Sequence, residues 1–200
     1  MQPGRTIASK RAPEPDDGDE RSILLGWLAF HRDALAAKCA DLVPEQLAER
    51  SVSPSALSLL GIVRHLVEME NAYGAWALGG PKGGFRPVWG EYTDHGPEWD
   101  FDVAPSMADE SLAAWHRMMR STDESIAGYP TLDAVAAGNG HTVRWTLNKL
   151  VGEYARHNGH ADLLRERIDG RTGEYGCETP LRDPSRLTGM RMVDIASRAA

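Results

Sequence analysis

Apolar residues recur at a spacing of 3 or 4 through four separate stretches, and alternation with period 2 is weak throughout. Ile23, Leu24, Trp27, Leu28, His31, Leu35 and Cys39 follow the 3.6-residue period from Asp19 to about Leu42. Leu57, Leu60, Ile62, Val63, Leu66, Met69 and Tyr73 carry a second helix to about Leu78. Ser53-Pro54 is its expected start, with serine as N-cap and proline at the first helical position. Leu112, Trp115, Met118, Met119, Thr122 and Ile126 give a third, opened by the capping-box-like Ser106…Asp109 and closed by Gly128. Val143, Leu147, Leu150, Val151, Tyr154, Ala161 and Leu164 give a fourth from about Thr142 to Ile168, with Gly170 as its stop. Four long amphipathic helices predict an all-α fold, a four-helix bundle, in which ligand sites form from inward-facing side chains.

The connections divide the chain. Residues 1–18 are polar and proline-rich and are expected to be a disordered arm. The bundle occupies 19–175. Residues 176–200 form a C-terminal extension, with a short helix expected over Leu187–Ala199. Pro44 to Ser53 is a connection. The loop 79–105 is far longer than a bundle connection needs, yet it carries Phe85, Trp89, Tyr92, Trp99 and Phe101. That composition argues for an ordered lid over a site, with Trp89 and Trp99 as cover residues.

Composition and charge mostly exclude. The net charge is −7, and no cluster of basic residues is longer than Lys10-Arg11, so a nucleic-acid surface is not expected. No apolar run reaches the roughly 20 residues of a membrane span, and no secretory signal is read at the N-terminus. A cytoplasmic protein is expected. Cys39 and Cys177 lie far apart with no metal-like spacing and read as free thiols.

The candidate chemistry lies in Glu153-Tyr154-Ala155-Arg156-His157-Asn158-Gly159-His160-Ala161-Asp162. At about 100° per residue, Glu153 lies about 40° from His157 and about 20° from His160 on the helix. A carboxylate and two imidazoles therefore share one edge of an otherwise apolar pattern. Carboxylate and imidazole four apart can give a divalent metal two ligands. His65, in the inward stripe of Ile62, Leu66 and Met69, could supply a third from another helix. The residues alone leave a second reading open: His65 as a core histidine and Glu153–His157 as an ion pair at the bundle surface. Gly152 and Gly159 each cost the helix about 1 kcal/mol against alanine. Close helix packing accounts for Gly152; Gly159 could equally leave room for a bound molecule. Asp162, Arg165, Glu166 and Arg167 read as a solvated face, with Asp162 as a conceivable partner for an imidazole. His31, His95, His116 and His141 read as surface or boundary residues.

Two motifs carry a family resemblance. Gly61-Ile62-Val63-Arg64-His65-Leu66-Val67-Glu68-Met69-Glu70 with Trp76, and the run from Glu153 to Gly170, resemble the DinB/YfiT-like superfamily over roughly residues 19–175. They are similar to an actinobacterial branch of unassigned function, related to mycothiol-dependent maleylpyruvate isomerases and thiol S-transferases. The resemblance implies a four-helix bundle, often a homodimer, holding a divalent metal, zinc or nickel, on His65, Glu153 and His157. It implies a thiol S-transferase or isomerase that joins a mycothiol-like thiol to an electrophilic small molecule. A metal-dependent hydrolase and a non-catalytic metal-binding or ligand-binding stress protein are the alternatives. His160 and Tyr154 are then expected as proton donors or acceptors. Lys149 stands where many members of the branch carry histidine; a lysine reaching the cavity would favour an anionic substrate, and the departure equally fits an altered chemistry.

Overall fold

Asp19 accepts a hydrogen bond from the Ser22 amide at 2.7 Å, and the first helix begins at the next residue. In the computed structural model of the chain, residues 12–79, 84–90 and 99–172 are described, the side chain of Trp99 excepted. Helix α1 spans Glu20–Cys39. It stops short of the expected Leu42 because Ala40 turns extended and Asp41 takes φ 62°. A single turn, α2 (Pro44–Leu47), interrupts the expected connection, and Gln46 Oε1 accepts from the Val43 amide at its start.

The second long helix starts five residues later than Ser53-Pro54 suggests. Those two residues lie in a turn, closed by the Ser55 amide on the Val52 carbonyl. The cap is Ser58, whose hydroxyl accepts from the Gly61 amide at 3.1 Å and launches α3 (Leu59–Met69). The helix then widens into a π-helical segment, Glu70–Ala75, and tightens again as α4 (Trp76–Gly79). Such widening is uncommon and concentrates at functional or constrained places. Here Gly74 lies so close to Thr122 that a Cβ would sit 2.6 Å from its Cγ2. Glu70, the first residue of the segment, is fully buried.

Helix α5 (Ala108–Ala127) follows a 3₁₀ turn at Pro105–Met107, so the expected capping box at Ser106 is displaced. Its first turn is instead tied by Ser111 Oγ donating to the Met107 carbonyl. Helix α6 (Val143–Asp169) begins where expected and ends on its expected glycine: the Thr142 hydroxyl accepts from the Trp145 amide, and Gly170 closes the helix at φ 78°.

The four long arms pack as an all-α bundle. Helix α6 lies mainly along α1, and α5 packs on α3 and the π-helical segment. Leu28, Leu35, Leu66, Trp115, Leu147 and Leu150 are among its fully buried side chains. Among the described residues there is no strand, only a single antiparallel bridge between Val135 and Thr142. No described helix is long and apolar enough to cross a membrane.

Part of the expected disordered arm is packed. The Ala12 amide donates to Asp33 at 2.7 Å, and Pro15 lies where a side chain on Gly26 would otherwise be. Residues 1–11, and with them the rest of the arm, lie outside the described residues, as do Cys177 and the helix expected at Leu187–Ala199.

The expected solvated face on α6 is also partly interior. Arg165 is buried; it donates to the carbonyls of Lys38 and Ala40 at 2.8 and 2.7 Å, capping the end of α1, and pairs with Asp169. Asp162 pairs with Lys38 at 3.0 Å rather than with an imidazole.

Candidate metal centre

Helix α3 contributes His65, and α6 contributes Glu153 and His157 one turn apart. Because α3 and α6 pack together, the i, i+4 edge of α6 meets the inward histidine of α3. One ligand-type atom from each residue lies within 4.8 Å of the others. Nε2 of His65 and Nε2 of His157 each lie 3.8 Å from Glu153 Oε2, and the two rings are 4.6 Å apart. His157 is buried, and the other two are partly buried. His65 lies against the Glu153–His157 pair rather than apart from it.

Each group is held by a neighbour. Lys149 Nζ bonds Glu153 Oε1, one turn back on the same helix, and leaves Oε2 facing the imidazoles. Burial alone would raise the Glu153 carboxyl, but the Lys149 bond and charge, with His65 and His157, hold it below the usual carboxylate range. His157 is pushed down to about 4, first by burial and then by the neighbouring His65 and His160. At neutral pH it is a neutral imidazole with a free lone pair, the state a metal ligand requires. His65 Nδ1 lies 3.2 Å from Asp100 Oδ2, and its ring stacks on Phe101 at 5.3 Å.

Two nitrogens and one ionised oxygen converging from two helices form a donor set that could hold a divalent metal. The donor set therefore fits the group that the sequence implied.

The other expected site residues divide. His160 Nδ1 faces His157 Nδ1 at 3.5 Å, so His160 borders the three ligand candidates. Tyr154 does not. Its position, one residue from Glu153, turns it into the core, where its hydroxyl donates to Glu70 at 2.8 Å and accepts from Trp115 at 2.7 Å. Its hydroxyl thus faces the Glu70 network and not the three ligand candidates. Burial, with Glu70 beside it, also raises its phenol well above the ordinary value.

Gly152 and Gly159 lie on an exposed side of α6, where a Cβ would meet nothing within 4 Å among the described residues, so close packing does not explain Gly152. Trp89 docks on α3. Its backbone amide donates to Glu68 at 2.9 Å, its indole N–H to the Arg64 carbonyl at 3.0 Å, and the Arg64 guanidinium lies 4.0 Å over its ring. It anchors the loop, while among the described residues the Phe101 ring lies against His65 and His157. The Trp99 side chain and His95 lie outside the described residues. Cys39 is a free thiol in the core, pushed up to about 12 by burial.

Asp100 was missed by sequence reasoning. Its only signal was an acid set between two aromatics, Trp99-Asp100-Phe101, inside a loop read as cover.

A family model described as mycothiol-S-transferase matches residues 23–170. No curated protein and no solved structure matches the chain.

Proposed function

The chain belongs to the mycothiol-S-transferase family, and from that premise we propose a divalent-metal-dependent enzyme that transfers a mycothiol-like thiol to an electrophilic small molecule. The observation that carries this reading is the convergence of His65, Glu153 and His157 within 4.8 Å. These residues would hold the ion, zinc or nickel by the chemistry of the donors. When bound, it would favour the thiolate form of a coordinated thiol.

The chain's own residues supply the rest. His157 offers a neutral nitrogen because burial and two neighbouring imidazoles disfavour its protonation. Glu153 offers charge, with one oxygen kept on Lys149. His160 stands beside His157, the two Nδ1 atoms 3.5 Å apart, as a candidate group for proton transfer at the edge of the site. Lys149 adds a positive charge at the rim, suited to an anionic electrophile.

The test is elemental analysis of the purified protein followed by thiol-conjugation assays. The expected result is one divalent ion per chain in the wild type, none in His157→Ala, and thiol-dependent turnover only in the loaded protein. Full metal occupancy in His157→Ala would remove the assignment of the site. Metal-dependent ester or amide hydrolysis without thiol consumption would replace transfer with hydrolysis.

A further inference from the structure

We propose that Asp100 is a positioning residue that sets the tautomer and angle of His65 for metal ligation. The proposal rests on the metal reading of His65, Glu153 and His157.

A carboxylate can only accept, so the 3.2 Å approach of Asp100 Oδ2 to His65 Nδ1 places the ring proton on Nδ1. That leaves the Nε2 lone pair free, and Nε2 is the atom facing Glu153 Oε2 at 3.8 Å. Imidazoles that bind metals are commonly held this way by a carboxylate on the far nitrogen.

Asp100 is 3% exposed, and its other oxygen has no hydrogen-bond partner among the described residues. A buried carboxylate with an idle oxygen costs stability unless a specific interaction holds it there. The interaction at hand is His65, with the Arg64 guanidinium acting on Asp100 by charge.

The backbone is arranged for the same approach. Gly61, one turn before His65, has no side chain, and a Cβ there would sit 3.1 Å from the Phe101 Cα. The 3₁₀ turn Trp99–Phe101 can therefore lie directly on α3. Phe101 then stacks on the face of His65 while Asp100 holds its edge. One loop turn constrains the ring about both of its free rotations.

The experiment measures zinc affinity by competition with a chromophoric chelator for the wild type, D100N and D100L, with visible spectra of the cobalt-loaded proteins. D100L removes the acceptor and is expected to weaken zinc about 10- to 100-fold. D100N keeps an acceptor oxygen and should recover most of that affinity and the wild-type cobalt spectrum. Equal affinity and identical spectra for the wild type and D100L would overturn the proposal. A wild type that binds no zinc would remove the metal reading itself, which separates the two failures. If D100L does not fold, nitrogen-resolved NMR of the metal-free wild type decides: a proton on Nδ1 of His65 is expected, and a proton on Nε2 overturns the proposal.

Discussion

The Tyr154 hydroxyl donates to Glu70 Oε1 at 2.8 Å, joining residues 84 apart in the chain. Glu70 also receives Arg32 in a fork, at 2.7 and 2.8 Å, and Arg32 reaches on to Asp123 at 2.7 Å. Trp115 completes the chain by donating to Tyr154 at 2.7 Å. The Thr122 hydroxyl donates to the Glu70 carbonyl at 3.2 Å, so the network and the π-helical segment share an anchor. The network around the Glu70 carboxylate thereby links all four long arms of the bundle.

Glu70→Ala is expected to cost about 3–5 kcal/mol, because it leaves the Arg32 charge buried with only Asp123 as a partner. Tyr154→Phe should cost about 1–3 kcal/mol, since it orphans the Trp115 N–H. Urea denaturation measures both. Tyr154→Phe should keep its zinc; loss of metal in a folded Tyr154→Phe protein would reinstate the tyrosine as a site residue.

The metal-free protein should lose stability as pH falls from about 6.5 to about 4. His157 titrates near 4 when folded, against an ordinary 6.5, so the unfolded chain takes up the proton first. More protons on the unfolded state mean that stability rises with pH in that window. The slope due to this residue approaches at most about 1.4 kcal/mol per pH unit. His157→Gln should flatten it. Parallel stability–pH curves for the chelator-treated wild type and variant would contradict the assignment.

Lys149→Met should bind zinc more tightly, by roughly 5- to 10-fold, because it removes a positive charge bonded to a ligand carboxylate. The gain is on the order of 1 kcal/mol, the fully water-screened value for unit charges about 4 Å apart. Weaker zinc binding would mean that Lys149 matters more by orienting Glu153 than by repelling the ion.

Glycines should divide by environment. Gly74→Ala drives a Cβ into Thr122 and should cost about 1–3 kcal/mol, with partial relief from Thr122→Ser. Gly152→Ala and Gly159→Ala meet open space and should each add about 1 kcal/mol of stability. Thermal melts of the three variants provide the check. A destabilising Gly152→Ala would point to a partner surface on that side of α6.

Local signals were readable wherever a residue acts on neighbours within one helical turn. Asp19 marks the start of α1, and Thr142 and Gly170 the two ends of α6, because caps bond amides and carbonyls only a few residues away. Glu153 and His157 could be placed on one edge for the same reason, since the helical period sets their angle before any packing occurs. Ser53-Pro54 had the same local form and still misled. The Ser58 hydroxyl provided a competing cap, and nothing local ranks the two.

What the sequence determined by itself was the set of four apolar stripes, the start of α1, the start and the glycine stop of α6, and the shared edge of Glu153 and His157. Packing decided the rest. It turned Tyr154 to Glu70, buried Arg165 on the end of α1, and widened the helix at Gly74 against Thr122. It also laid Asp100 against His65, 35 residues away. Each of these depends on a partner far along the chain. A helical period specifies which way a side chain points around its own axis, whereas only the assembled bundle specifies what waits there to receive it.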